Sequence, residues 1–348
     1  MKRYLISGIP LCETITGIPR YMVEVLTRLD DMIEADDNIE IYICYPQELK
    51  DKFIRYEFKQ IKTMSIVKGR KLWVPQVVVP LSRKMQAVVC DMADGVSVRK
   101  GTITKLDDLR PIVRKYDSLK IRLYFRFLLL TIKKNSKMIV TVSESQKMEI
   151  QKIMPEKTVD IFPNGWSHIN RFSYDKGIFD KFPEIKFNEY YYTIGSLAKH
   201  KNYRWIYEIA KNNPDKQFVI AGNENLKKWG TDSSTLILKN IVFVGYVSDN
   251  ENIALYKHCK AYLHPAFYEG FGIPPLEAVA LGKDIAVSRI PEFIETYGNL
   301  ITYFDPNDYK FDLNTIKHLD DDERKYILDK YSWDSTARKW YELFKSYE

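Results

Sequence analysis

The alternation of apolar and polar positions divides the chain into short strands and amphipathic helices in regular succession. Tyr4-Leu5-Ile6 opens it as a strand over residues 3–7, followed by a Gly/Pro/Thr loop from Gly8 to Pro19. From Arg20 the period changes. Tyr21, Val25 and Leu29 recur at helical spacing, with Met22 and Leu26 widening the face. Residues 39–45 (IEIYICY) alternate as a second strand, and 53–71 reads as a strand and then a basic loop. Trp73 to Pro80 reads as short and extended, bounded by Pro75 and Pro80. Gln86 to Met92 is a buried strand. The spacing predicts a helix over 115–134, with Ile121, Tyr124, Phe125, Leu128, Leu129 and Ile132 on one broad face and Arg122, Arg126, Lys133 and Lys134 on the other; it either lies on a membrane or, the favoured reading, turns the apolar face to the core with its arginines lining the cleft. Lys137 to Ser143 is a strand whose terminal Ser143 caps a helix, with Gln146 as capping partner. Val159 to Phe162 is a short strand before the turn Pro163-Asn164-Gly165.

Between Trp166 and Asn188 the pattern lapses into polar residues dotted with aromatics, which predicts an interdomain linker. Strand-to-glycine segments then follow one another: residues 189–195, 218–222 and 241–247, the first leading into a helix over 203–211. A short helix over 249–258, a strand at 261–263, another at 284–288 and a last at 300–306 complete the series. Helices over 322–330 and 333–347 close the chain. At 348 residues the length exceeds what one core usually supports. The expectation is an α/β protein of two Rossmann-like domains: 1–165, a linker 166–188, 189–330, and a terminal helix 331–348.

Composition narrows the class. Hydrophobic residues make up 45% and charged residues 28%, as in ordinary folded proteins. Cys12, Cys44, Cys90 and Cys259 form no C-x-x-C pair and no metal-ligand spacing. With no signal-peptide pattern at the start, they fit reduced thiols in a cytoplasmic protein. No apolar run approaches the ~18 residues of a membrane span. Charge is uneven: residues 1–180 carry a net of +9 and the remainder −2. The excess lies in 50–71 and 99–137, which would suit an anionic partner such as a lipid surface, a nucleic acid or an acidic substrate, or simply a solvated face.

The chemistry concentrates in His264-Pro265-Ala266-Phe267-Tyr268-Glu269-Gly270-Phe271-Gly272-Ile273-Pro274-Pro275-Leu276-Glu277. Here a strand end passes through a glycine-bearing loop into a helix, with Pro274 and Pro275 at its entry and Glu277 in its first turn. At the carboxyl end of a parallel sheet such a corner faces the ligand crevice. Gly270 and Gly272 let backbone N–H groups approach an anion, and the helix start adds positive potential. Glu269 and Glu277 suit hydroxyl groups on either side of a phosphate, as on a ribose or a sugar. Read singly, each is equally a solvated or helix-favouring acid. Gly195 and the loop Ser196 to Asn202, with Lys199, His200 and Lys201, suit a diphosphate, or else are a solvated lysine pair. Gly245 and Tyr246 end another strand, where backbone groups would hold a base. Gly17 and Arg20, and Asp91 after the buried Cys90, are candidates in the first half.

The run Glu269-Gly270-Phe271-Gly272 with Glu277 resembles the signature of the retaining glycosyltransferases of family 4, in which two glutamates bracket an E-G-F-G loop. The resemblance implies a GT-B fold: two Rossmann-like domains facing across a cleft, the C-terminal helix returning to the first. It implies a nucleoside-diphosphate-sugar donor, with GDP-mannose and UDP-hexoses both candidates, and a glycan or lipid-linked acceptor in bacterial surface polysaccharide synthesis. In that scheme Glu269 contacts the donor sugar as the catalytic residue, and Glu277 holds the ribose. Gly17, Arg20, Gly195, Lys199, Lys201, Gly270, Phe271 and Gly272 surround the diphosphate. Cys90-Asp91 stands where many members have His-Asp, and Ser196 stands in place of an arginine. With no D-x-D-like pair in the first domain, no cofactor or metal is expected. Peripheral contact with an anionic membrane through the basic first domain is foreseen, and no nucleic acid. Other classes are a sugar-nucleotide hydrolase or epimerase working through His200 and His264, a nucleic-acid binder, and an inactive nucleotide-sugar-binding partner.

Overall fold

The computed structural model describes residues 1–34, 37–53, 56–114, 116–196, 198–222 and 238–347. Seven parallel strands build the first sheet: β1 (Lys2–Ser7), β2 (Ile39–Pro46), β3 (Lys62–Ile66), β4 (Val88–Asp91), β5 (Thr102–Lys105), β6 (Ser136–Thr141) and β7 (Thr158–Ile161), in the order β3-β2-β1-β4-β5-β6-β7. Six more parallel strands build the second: β8 (Tyr190–Gly195), β9 (Gln217–Gly222), β10 (Ile241–Gly245), β11 (Cys259–His264), β12 (Ile285–Ser288) and β13 (Thr302–Phe304), ordered β10-β9-β8-β11-β12-β13. The chain divides into two units, Met1–Asn164 with Ser332–Glu348, and Gly165–Tyr331. Both sheets are of the doubly wound kind. Strand order reverses between β1 and β4 in one and between β8 and β11 in the other, and ligands bind at the carboxyl ends of such switch points.

In the first unit the helix Gly17–Met32 covers the sheet with Tyr21, Met22, Val25, Leu26 and Leu29, all inaccessible to solvent. The C-terminal helix Trp333–Ser346 returns to this helix. Trp340 Nε1 donates to Tyr21 OH at 2.7 Å, Tyr4 OH donates to the Phe344 carbonyl at 2.8 Å, and Tyr21 meets Trp333 edge-on at 5.7 Å. Aromatic residues thus fix the last helix twice over, by area and by their polar tips. The terminal helix therefore belongs to the first unit, as the GT-B pattern requires.

Three local readings change. Trp73 to Pro80 is helical, a π turn Val74–Val78 running into the helix Val79–Lys84. Pro75 and Pro80 each fall in the first two positions of a helical segment, where a missing N–H costs little, and the wide turn bonds Val79 N to Val74 O. The strand β5, too short and threonine-rich to stand out, lies between β4 and β6. The helix Leu119–Asn135 buries Leu128, Leu129 and Ile132, while Ile121 and Tyr124 are exposed instead of facing the core.

In the second unit Tyr190, Tyr191 and Tyr192 of β8 are all buried, as expected where a parallel sheet is covered on both faces. Tyr190 OH donates to the Leu255 carbonyl at 2.6 Å and Tyr192 OH to Asn252 Oδ1 at 2.7 Å. Trp205 from the helix Tyr203–Asn212 stacks on Phe304 of β13, ring centroids 3.9 Å apart. Residues 166–188 carry a 3-10 turn, Ser167–Arg171, and a short helix, Gly177–Lys181.

Candidate active site

Two loops at the switch point of the second sheet hold the site. After β8 the chain makes a 3-10 turn, Lys199–Lys201, and enters the helix Tyr203–Asn212 through Asn202 in the left-handed region, φ +53. Asparagine tolerates that conformation, and its Nδ2 donates to the Pro306 carbonyl at 2.9 Å, which anchors the turn. After β11 the chain runs through Glu269 to Gly272 and into the helix Ile273–Ala280. Gly272 is at φ +92, and a Cβ there would lie 2.4 Å from Phe293 Cε1, so only glycine fits. Phe267 N donates to the His200 carbonyl at 2.7 Å, tying the two loops together.

Glu269 is the centre of a buried polar cluster. Its Oε1 accepts from Lys201 Nζ at 2.6 Å and lies 2.7 Å from His264 Nε2. His264 Nδ1 is in turn 3.0 Å from Tyr262 OH. With the phenol donating to Nδ1, Nε2 carries the proton and donates to the carboxylate. Burial lowers the pKa of His264, which keeps the ring neutral at pH 7. For Glu269 burial acts the other way, but the Lys201 charge and the His264 N–H outweigh it and hold the carboxyl well below the usual range. The result is a fixed carboxylate sharing one oxygen between a cation and an imidazole.

Glu277 belongs to a second cluster. Its Oε1 is 2.8 Å from His168 Nε2, and its Oε2 accepts from Tyr256 OH at 3.1 Å. It is the fifth residue of its helix, not in the first turn, because the helix starts at Ile273 ahead of both prolines. That start also limits the anion-binding capacity of the helix end. Pro274 and Pro275 have no N–H, leaving Gly272, Ile273 and Leu276 as the donors nearest the terminus.

The remaining predicted residues divide. Gly195 ends β8 beside Gly222, and a Cβ on Gly222 would lie 2.1 Å from the Gly195 carbonyl oxygen. Lys199 is exposed and the His200 side chain is buried. Phe271 turns its ring inward against Tyr331, centroids 5.2 Å apart, so its backbone N–H is what it could offer a ligand. Gly245 ends β10 and Tyr246 is exposed. In the first unit Gly17 begins its helix and Arg20 is buried. Asp91 ends β4 and accepts from Gly95 N at 2.5 Å and Ala93 N at 3.2 Å. Loss of water around that carboxyl outweighs both bonds and pushes it up to about 6. Cys90 is buried, which raises its thiol. Sequence reasoning missed His168, Tyr256 and Tyr262. His168 lies in the stretch read as a linker, and the two tyrosines are indistinguishable in sequence from their core neighbours.

No group of three or more His, Cys, Asp or Glu side chains suited to a metal ion occurs among the described residues. The family model described as glycosyl transferases group 1 matches residues 176–340. The O-antigen chain mannosyltransferase RfbU of Salmonella typhimurium is 27% identical over 327 residues, covering 88% of this chain and 87% of that protein. Among solved structures, HepE of Anabaena in complex with UDP-glucose superposes with a TM-score of 0.73 over 99% of this chain and 100% of that one, at 12% identity. Sucrose-phosphate synthase from Thermosynechococcus elongatus gives 0.72 at 12% identity over 99% and 98%. These structural likenesses establish the fold. With the group 1 match over the unit that holds both glutamate clusters, the protein is a glycosyltransferase.

Proposed function

We propose that the protein transfers a hexose from a nucleoside-diphosphate sugar to a hydroxyl of a glycan or lipid-linked acceptor, with retention at the anomeric carbon, in bacterial surface polysaccharide synthesis. The carrying observation is the Lys201–Glu269–His264 cluster at the carboxyl ends of β8 and β11, with the Glu277 cluster one helix turn beyond the intervening loop. The resemblance to RfbU makes mannose the leading candidate sugar and GDP-mannose the leading donor.

In this reading the bond from the anomeric carbon to the diphosphate oxygen breaks while the acceptor oxygen bonds to that carbon. The acceptor proton passes to the departing diphosphate. Negative charge grows on the leaving group, and in this reading Lys201 and the Gly270 to Gly272 loop meet it. Glu269, oriented by neutral His264, accepts hydrogen bonds from the sugar hydroxyls. Glu277, held by His168 and Tyr256, takes the ribose hydroxyls. Gly245 and Tyr246 border the base. Gly17, Arg20, Lys199 and Asp91 are assigned to the donor surroundings on the family pattern alone.

The test pairs a thermal-shift screen of UDP-, GDP-, dTDP- and CMP-sugars with turnover of Glu269→Gln. A stabilising donor names the base, since ligand binding to the folded state raises the transition. The variant is expected to bind that donor within a few-fold of wild type and to lose transfer by about 100-fold or more, as for loss of a transition-state contact. Wild-type turnover by Glu269→Gln would reject the assignment.

A further inference from the structure

The helix Leu119–Asn135 carries a feature that donor chemistry does not use. One side is anchored, with Leu128, Leu129 and Ile132 packed into a cluster with Leu106, Leu109, Ile139 and Ile150. On the opposite side Leu119, Leu123, Phe127 and Leu130 are 67%, 54%, 56% and 67% exposed. Their spacing of four, four and three residues aligns them in one stripe along the outer face, about 17 Å long at the helical rise of ~1.5 Å per residue. A solvent-facing helix surface is normally polar along its centre. Here the centre is apolar and the charges flank it: Lys120 and Lys134 on one side, Arg122, Arg126 and Lys133 on the other. No Asp or Glu occurs between residues 118 and 143. Lys133 pairs with Glu156 at 3.8 Å.

We propose that this face docks on an anionic lipid bilayer, the four apolar side chains entering the acyl boundary and the flanking lysines and arginines meeting lipid phosphates. Charge decides the occupant. An apolar ridge between two basic rows, on the half of the chain with a net of +9, fits a surface that is apolar in depth and negative at its rim. Long basic side chains can lie beside the ridge and raise their charged ends to the headgroups. No helix among the described residues is long and apolar enough to cross a membrane, so the contact is peripheral. This inference uses neither Lys201 nor Glu269 and stands independently of the donor-site reading.

The experiment is co-sedimentation of the full chain with vesicles of 30 mol% phosphatidylglycerol in phosphatidylcholine, and with phosphatidylcholine alone, at low salt. Wild type is expected to pellet with the anionic vesicles only. The double variant Leu123→Asp/Phe127→Asp, at exposed positions where melting stays unchanged, is expected to bind at least 10-fold more weakly. Arg126→Glu/Lys134→Glu is expected to lose binding as well. In Phe127→Trp, brominated lipid should quench the added indole emission beyond the change in wild type. Failure of wild type to pellet overturns the proposal, as does wild-type binding by Leu123→Asp/Phe127→Asp. A concentration-dependent dimer in sedimentation equilibrium, lost in that same variant, would assign the face to a second copy of the chain and overturn it too.

Discussion

Replacing Lys201 by alanine separates the structural role of the Glu269 cluster from its role in binding. In the wild type the Glu269 side chain is 10% exposed and that of Lys201 20%, with 2.6 Å between Nζ and Oε1. Breaking a buried pair by deleting one partner costs about 3–5 kcal/mol, because the other charge stays buried. Two features lower that figure: the lysine keeps a fifth of its surface in water, and His264 still donates to the carboxylate. A loss of about 2–3 kcal/mol is expected, or roughly 4–12 °C in the melting of the second unit at ~2–4 °C per kcal/mol. The pH dependence has a definite sign. The folded-state pKa of Glu269 is depressed, so its stabilisation is complete above the unfolded carboxyl value of ~4.3 and is lost as pH falls below it. In Lys201→Ala the main lowering influence is gone, so calorimetry should show a wide gap from wild type at pH 7.5 and a narrower one near pH 3.5. Binding gives the second readout. A lost charge-assisted bond of ~1.5–3 kcal/mol weakens a nucleoside diphosphate by about 10–150-fold in isothermal titration, while the free nucleoside changes less than about twofold. Equal loss for both ligands, or a melting temperature within 1 °C of wild type, would refute the reasoning.

Two other perturbations probe the frame of each unit. Gly272→Ala forces a side chain into φ +92 and places its Cβ against the fully buried Phe293 ring, for a combined cost of about 2–4 kcal/mol. The second unit should melt well below wild type and donor affinity should fall with it; unchanged melting would mean the loop adopts another path. In the first unit Asp91, pushed up to about 6, opposes folding once ionised. Wild type should therefore lose stability relative to Asp91→Asn as pH rises from about 4 to about 6, with no further divergence above that; a constant difference across this window would show an unperturbed carboxyl.

The second unit is the more legible in sequence because its strands end in glycine and its candidate loops follow those ends directly. The pairing of Glu269 with Lys201 at one sheet end follows from local patterns, E-G-F-G and a basic turn after a strand. What holds them was not local. His168 meets Glu277 across 109 residues and Tyr256 across 21, and no periodicity marks a buried histidine in a polar stretch or singles out one tyrosine among twenty-four. Trp73 to Pro80 reads as extended because prolines in a short run read as boundaries, whereas in the first turn of a helix a missing N–H costs little.

The helix Leu119–Asn135 shows the opposite limit, where the composition was read correctly and the faces were not. Seventeen residues with ten large apolar side chains leave no dry/wet boundary visible at a 3.6 period, so Ile121 and Tyr124 were assigned to the core. The sheet can cover only one side of a helix, and Leu128, Leu129 and Ile132 already fill it. The surplus of Leu119, Leu123, Phe127 and Leu130 must then face outward whatever the sequence prefers. An apolar surplus on a surface helix exposes area that water disfavours at about 25 cal/mol per Å², a standing cost in the isolated protein. The same area returns that energy when a partner covers it. The charged cluster of one unit and the apolar helix face of the other answer different physical demands, one for a buried, preorganised charge and the other for a surface left uncovered.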